Sequence, residues 1–194
     1  MRRNTETSYG SVAKWLHWLT ALLVLVAYLL VMYLDLVLDG EGPLRSPIIR
    51  THKAIGASIL IFIVLRLWWR ATNPSPKLPD SMPKWQVHAS HVSHFSLYAL
   101  LIAMPISGYL GNGSGVSFGI FAIPGFGKTA IGNWVLDLVG MTFEEWEVPF
   151  DYFHYEISGP FLLWMIIAAH AGAAIYHHYV EKDDVLKRML PETS

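Results

Sequence analysis

Four long apolar stretches follow one another along the chain, and each is long enough to cross a lipid bilayer. The first is an uncharged run from Trp15 to Leu34, which matches the roughly 20 residues that a transmembrane helix needs. Charged residues or prolines end the stretches that follow. The fold class is therefore predicted to be all-α, a four-helix transmembrane bundle that forms a single domain over residues 1–194. The spans are predicted at about 15–36, 52–70, 86–110 and 157–180.

A long connection, residues 111–153, separates the third and fourth spans. Its first part is rich in glycine, and its second part, Ala130 to Trp146, predicts an amphipathic helix in the membrane interface. That helix would carry apolar residues on one side and an acidic cluster toward water. The apolar residues are Trp134, Leu138 and Met141, and the acidic ones are Glu144, Glu145 and Glu147. A surface cap without chemistry explains this loop as well as a functional surface does.

Lysine and arginine concentrate on the side of the bundle that carries both termini, which predicts cytoplasmic termini and an outer position for the long loop. The terminal side carries Arg2, Arg3, Lys14, Arg66, Arg70, Lys77, Lys84, Lys182, Lys187 and Arg188. The opposite side carries Arg45, Arg50, Lys53 and Lys128.

Composition agrees with lipid as the solvent and narrows the chemistry. Only 15% of the residues are charged and 53% are hydrophobic, whereas soluble domains carry about 25% charged residues. The net charge is −1 and no dense basic run occurs, so nothing indicates nucleic acid as a partner. The sequence has no cysteine, which excludes disulfides, iron–sulfur clusters, zinc–thiolate sites and covalently attached haem.

Histidines fall at two depths of the predicted bundle. The outer layer contains His52 and His154, and the cytoplasmic layer contains His17, His91, His94, His170, His177 and His178. A bis-histidine haem needs two imidazoles that face each other from separate helices at one depth. The pattern therefore predicts two haem b groups, with layers roughly 20 Å apart at 1.5 Å per helical residue.

Each histidine taken singly has a simpler explanation, because a lone histidine in an apolar helix is more often a hydrogen-bonded packing residue than a ligand. A haem-free transporter whose histidines carry protons is a further alternative. Arg66 follows His52 by 14 residues, which places both on one helical face. Its guanidinium could pair with a haem propionate or serve only as a positive anchor at the membrane edge.

Several motifs together resemble the prokaryotic cytochrome b561 family of four-helix di-haem proteins. The resemblance covers nearly the whole chain apart from residues 111–152. The matching stretches are Leu16-His17-Trp18-Leu19, His52 with Gly56-Ala57-Ser58-Ile59-Leu60 and Arg66, His91-Val92-Ser93-His94 with Tyr98, Pro105 and Gly108, and His170-Ala171-Gly172-Ala173-Ala174 through His177-His178-Tyr179 to Lys182-Asp183 and Arg188-Met189-Leu190-Pro191.

The resemblance implies that His17 and His170 ligate the cytoplasmic haem iron and that His52 and His154 ligate the outer one. The family usually places its two fourth-helix ligands 14 residues apart, whereas His154 and His170 are 16 apart. On an ideal helix this spacing turns His154 away by about 160°. A bulge, or a non-helical start before Pro160, is expected to restore its direction.

The activity implied by the resemblance is electron transfer across the bacterial inner membrane, from superoxide or another one-electron donor outside to ubiquinone near the cytoplasmic haem. Lys53 would steer superoxide by its charge. His177, His91 and His94 would line the quinone site and relay protons. Membrane lipid is the other expected partner. The alternative function is a cytochrome subunit that relays electrons between a partner hydrogenase or dehydrogenase and the quinone pool, with the long loop as its docking surface.

Overall fold

Four membrane-length helices form the protein, in a computed structural model that describes residues 2–38 and 42–191. The first three are α1 (Ser11–Val37), α2 (Arg45–Thr72) and α3 (Lys84–Leu110). The fourth runs without a break from Phe143 to Glu181 over 39 residues. It is built from two α-helical and two π-helical parts. The predicted four-helix transmembrane fold is confirmed. The parts of the fourth helix, with the short helix α4 before it, are α4 (Ala130–Val139), α5 (Phe143–Asp151), the π-helical segment (Tyr152–Leu162), α6 (Leu163–Tyr176) and the π turn (His177–Glu181).

The fourth helix begins at Phe143 rather than near residue 157, because a capping box starts α5 early. The Thr142 hydroxyl accepts a hydrogen bond from the Glu145 N–H, and the Glu145 carboxylate accepts one from the Thr142 N–H. Together these satisfy two backbone donors at the helix start. The expectation of one interfacial helix from Ala130 to Trp146 is wrong. Gly140 ends α4 in the left-handed conformation, with φ 69°, and the chain turns before α5 begins.

Buried side chains of all four helices meet in a small core in the middle of the bundle. Ile63 is fully buried, and Ala27, Ile59, Leu101 and Leu163 pack around it. Many leucines, isoleucines and valines lie on the outside instead, including residues of α1 and α2. An apolar exterior of this extent suits lipid, because the acyl chains are as apolar as these side chains.

One end of the bundle is covered by the connection between α3 and α5, here called the cap end. A two-stranded antiparallel hairpin pairs β1 (Val116–Ser117) with β2 (Ala122–Ile123). A 3₁₀ turn (Phe126–Lys128) and α4 follow. The ring of Phe126 stacks on Trp146 of α5, with centroids 5.3 Å apart. This contact fixes the cap against the start of the fourth helix.

The other end, here called the tail end, brings together the N-terminal segment, the α2–α3 connection and the C-terminal tail. Glu6 forms a salt bridge with Lys77, with 2.7 Å between Oε2 and Nζ. The Arg188 guanidinium donates to the Lys77 carbonyl, and the Trp18 indole donates to the Met189 carbonyl at 2.9 Å. Both ends of the described chain therefore lie at the same end of the bundle. That the tail end faces the cytoplasm stays a prediction from the distribution of lysine and arginine.

Candidate functional site

His52 of α2 and His154 of the π-helical segment face each other near the cap end. Their ring centroids are 6.2 Å apart and their planes cross at 89°. His52 Nδ1 lies 3.1 Å from the Ala27 carbonyl oxygen, and His154 Nδ1 lies 3.0 Å from that of Met104. Because a carbonyl can only accept, both Nδ1 atoms carry the hydrogen, and in a neutral ring Nε2 keeps its lone pair. This tautomer leaves Nε2 of each ring available to ligate a metal.

The π-helical segment explains how His154 reaches this position. The N–H of Leu163 donates to the carbonyl of Ser158, five residues earlier, and each such turn accommodates one residue more than an α-turn. Two such turns absorb about two of the 16 residues between His154 and His170, which leaves the phase of a 14-residue spacing. Pro160 lies within the segment and lacks an N–H, which favours a departure from α-helical pairing. The expected bulge is thus present.

Three imidazoles from three helices form a second cluster toward the tail end. His170 of α6 lies between His17 of α1, with ring centroids 6.3 Å apart, and His94 of α3, at 5.2 Å. The predicted neighbours His17 and His170 are therefore brought together. Proximity also makes His94 a second neighbour of His170.

The spacing of the rings tests whether these histidines fit a haem iron. Two metal–nitrogen bonds of about 2.0 Å on opposite sides of one iron place the centres of two imidazoles roughly 6 Å apart. The pairs His52–His154 and His17–His170 match this spacing, whereas His94 and His170 lie too close together. A Cβ added at Gly56, one turn after His52, would meet no atom within 4 Å. This leaves open space beside the first pair. The ring spacing of these two pairs fits bis-histidine ligation of a haem iron.

Arg66 lies beside His17, with 3.1 Å between its Nη2 and the His17 Nδ1, and its guanidinium carbon is 5.5 Å from the centre of the Tyr98 ring. A guanidinium only donates, so Nδ1 accepts here and Nε2 of the neutral ring carries the hydrogen. Ligation through Nε2 therefore requires Arg66 to release Nδ1. An anionic group such as a propionate is a suitable new partner for the guanidinium.

Lys53 lies one residue after His52, and the loop that follows α3 holds its ammonium group. Its Nζ donates to the Asn112 amide oxygen and to the Ser114 hydroxyl, each at 2.7 Å. Beside it, α2 and the β1–β2 hairpin form a groove of about 400 Å³. The residues that line this groove are Arg50, Thr51, Ala54, Ile55, Ser58, Ser117, Phe118 and Gly119. The Lys53 ammonium group thus lies next to the first histidine pair, and the Asp151 carboxylate is close enough to act on its charge.

The three histidines predicted for the quinone site do not form one cluster. His94 packs against His170, and His91 is exposed on the same helix. His177 is half-buried and pairs with Asp183, with 2.6 Å between Nδ1 and Oδ2. The sequence interpretation named Asp183 only within a family motif and gave it no role. An acidic residue just beyond a helix end, six positions after a histidine, is a signal that could have identified it.

Tyr9 is a second group at the tail end that the sequence interpretation missed. It lies half-buried just before α1. Burial raises the pKa of its phenol, and the positive charge of Arg70 acts in the opposite direction. A neutral tyrosine therefore faces the end of the bundle where the arginines are concentrated.

The chain is similar to known proteins over most of its length. The sequence pattern of the family described as prokaryotic cytochrome b561 matches residues 8–192. The chain is 31% identical to cytochrome b561 homolog 2 of Escherichia coli K12, over 98% of this chain and 95% of that protein. It is 29% identical to cytochrome b561 homolog 1 of the same organism, over 91% and 93%. It is 27% identical to the probable superoxide oxidase CybB of Yersinia pestis, over 95% and 96%.

Proposed function

Because the chain belongs to the prokaryotic cytochrome b561 family of membrane electron-transfer proteins, we propose that it is a superoxide:ubiquinone oxidoreductase. Superoxide is oxidised at the cap end, which faces the periplasm, and ubiquinone is reduced at the tail end, which faces the cytoplasm. Two superoxide anions give two dioxygen molecules, and their two electrons, with two protons, convert one quinone to quinol. The observation that carries the proposal is the pair of imidazole contacts near 6 Å, one toward each end of the bundle.

Two b-type haems, when bound, supply reversible one-electron chemistry. His52 and His154 would hold one of them, and His17 and His170 would hold the other. The carbonyls of Ala27 and Met104 accept from the first two imidazoles. Such hydrogen bonds fix the ring orientation and make Nε2 more basic, and thus a better ligand.

The basic side chains of α2 near His52 support a small anion as the electron donor. Lys53 is held in place by two hydrogen bonds, and Arg45 and Arg50 on the same helix are exposed. Cations grouped at one rim raise the local concentration of an approaching anion and its association rate. Oxidation of superoxide releases only an electron, so this end of the protein needs access and a favourable field and no proton donor.

The tail end has the groups that quinone reduction needs. Each quinone takes up two protons, and imidazoles exchange protons readily near neutral pH. His94 lies next to His170, His91 lies on the same helix as His94, and His177 lies two turns beyond His170. We assign the proton-relaying role at the quinone to these three histidines.

A second function is favoured by the apolar face of α4. Ile131, Trp134 and Leu138 are spaced along one side of this helix, and each is more than 60% exposed. Such a face contacts either the membrane interface or another protein. In the second case the chain is a cytochrome subunit that relays electrons for a hydrogenase or dehydrogenase.

The purified protein, with its haems loaded and no partner present, separates these functions. A reduced-minus-oxidised spectrum with haem quantitation is expected to show two b-type haems per chain. Superoxide generated in solution is expected to disappear faster when a soluble ubiquinone is present, with one quinol formed per two superoxide anions. Full haem loading without superoxide consumption would contradict the oxidase proposal and favour the relay.

A further inference from the structure

At the tail end the geometry points to His177 and Asp183 as a proton-donating dyad for the quinone, with His177 as the donor and Asp183 as its positioning residue. This inference rests on the proposed function and names the residue that directs its proton chemistry. Within residues 2–38 and 42–191, Asp183 is the only carboxylate that contacts a histidine.

The contact between the two side chains is short and shielded from water. His177 Nδ1 lies 2.6 Å from Asp183 Oδ2, and the two side chains are only 12% and 18% exposed. The carboxylate accepts from Nδ1–H, as in other histidine–carboxylate pairs. This bond fixes the ring and leaves Nε2 as the nitrogen that exchanges a proton. Within the described part of the chain, Nε2 has no hydrogen-bond partner of its own.

The backbone places Asp183 opposite the ring. The π turn His177–Glu181 ends the fourth helix, and Lys182 takes the left-handed conformation, with φ 56°. This reversal brings residue 183 back toward the helix, where its N–H donates to the His177 carbonyl at 3.2 Å. The second carboxylate oxygen, Oδ1, accepts from the Val185 N–H at 3.0 Å. Both carboxylate oxygens are therefore engaged, and the side chain has little freedom to leave the imidazole.

The tail that carries Asp183 is attached to the second histidine cluster. The Trp18 indole donates to the Met189 carbonyl, and the Trp18 ring also contacts the ring of His17 edge-on, with centroids 5.2 Å apart. His177 follows His170 by seven residues, which is about two turns or roughly 10 Å along the helix and nearly the same face. The dyad thus lies between the second histidine cluster and the end of the bundle.

These positions suit proton delivery to a quinone. A protonated His177 gives the Nε2 hydrogen to a quinone carbonyl oxygen as that oxygen gains electron density. The Asp183 carboxylate stabilises the imidazolium before the transfer and keeps Nδ1 protonated after it. Water at the tail end then returns a proton to Nε2, and a second transfer completes the quinol. The electrons come from superoxide, as in the proposed reaction.

Closing the helix end does not require the contact between Oδ2 of Asp183 and the imidazole of His177, and the bond from the Val185 N–H uses the other oxygen, Oδ1. The turn is already closed by the backbone bond from Asp183 N–H to the His177 carbonyl and by the left-handed Lys182. Asp184 is the matched control for Asp183. Its carboxylate pairs with Arg188 at 2.8 Å and is 52% exposed.

The test is stopped-flow reoxidation of the haem-loaded, fully reduced protein by two acceptors. Water-soluble short-chain ubiquinone needs protons, whereas ferricyanide takes an electron alone. Asp183→Asn is expected to slow reoxidation by the quinone about tenfold or more, to leave reoxidation by ferricyanide unchanged, and to retain the wild-type haem-to-protein ratio and melting temperature. His177→Gln is expected to show the same split, and Asp184→Asn is expected to match the wild type with both acceptors.

Each other outcome identifies which proposal fails. Equal slowing with both acceptors, or loss of haem in both the Asp183 and the His177 variants, would establish a structural role and overturn the dyad. Unchanged kinetics in Asp183→Asn would overturn the dyad and leave the quinone reaction standing. A wild-type protein that ferricyanide reoxidises and quinone does not would refute the proposed function itself, and the dyad with it.

Discussion

The imidazole of His154 lies directly against Gly108 of α3. A Cβ added at this glycine would lie 2.8 Å from the ring atom Cε1 and 3.1 Å from Nδ1. Such distances are shorter than van der Waals contact, so only a residue without a side chain lets the ring approach α3 this closely. The approach in turn lets His154 Nδ1 reach the Met104 carbonyl and the Ser107 hydroxyl.

The substitution Gly108→Ala is therefore expected to displace the His154 ring and to remove most of one of the two haems. The added methyl group cannot be accommodated without moving an imidazole that two hydrogen bonds hold. Ser107→Ala is the matched control one residue away. It removes one acceptor of the His154 Nδ1 hydrogen and retains the Met104 carbonyl, so its haem content should stay near the wild type. Equal haem content in both variants, measured by pyridine haemochrome absorbance, would contradict this account.

Deletions within the π-helical segment test the phase of His154. Tyr155 and Glu156 are exposed and lie between His154 and His170. Removing one of them rotates His154 by roughly 80° relative to His170 if the segment stays π-helical, because each turn there holds one residue more than the 3.6 of an α-turn. Removing both leaves a 14-residue spacing that an ordinary α-helix can satisfy.

The expected result is that the double deletion retains more haem than either single deletion. Helix content by circular dichroism should be similar in all three variants. If haem falls steadily with the number of residues removed, the π turns do not set the direction of His154.

Alanine in place of His52 or in place of His154 should remove the same haem. His52→Ala and His154→Ala each remove one of the two imidazoles that would hold the haem at the cap end, so each variant is expected to retain about half of the wild-type haem. The double variant should lose no more than either single one, because both act on one group. His88 is exposed on α3 and supplies the control, since His88→Ala should retain both haems. Additive losses in the double variant would show that the two histidines do not hold the same haem.

The charge of Lys53 is expected to act on the rate of superoxide capture. Lys53→Gln can keep hydrogen bonds to Asn112 and Ser114 while it removes the positive charge. We expect the rate constant for superoxide consumption to fall by up to about tenfold at low salt, with the difference shrinking as salt screens the field. Asn112→Ala loosens the lysine and retains its charge, so its rate should change less. A loss that is independent of ionic strength would assign Lys53 a structural role in place of steering.

The sequence predicted the transmembrane fold because hydrophobic length is a local property that each span carries by itself. Depth along a helix is equally local, since each residue adds a fixed rise. For this reason the outer pair His52 and His154, which depth alone singled out, agrees with the contact between these rings. The choice of His170 as the partner of His17 came from the family resemblance, and these two rings are also neighbours. The start of the fourth helix was harder to predict, because the capping box at Thr142 and Glu145 lies within the segment that the apolar pattern predicted to be one interfacial helix.

Direction around a helix axis, in contrast, depends on every hydrogen bond between two residues and on what packs against them. The sequence alone left His154 pointing away from His52, and only the i→i+5 pairing around Ser158 and Leu163 brings it into the bundle. The pairing of His177 with Asp183 likewise arises from a chain reversal at Lys182 that no periodic pattern announces. The sequence by itself determined which residues occur at which depth. The tertiary structure decided which of them meet, because contacts across helices require the wide turns, close glycine approach and tail docking that form only when the whole chain is packed.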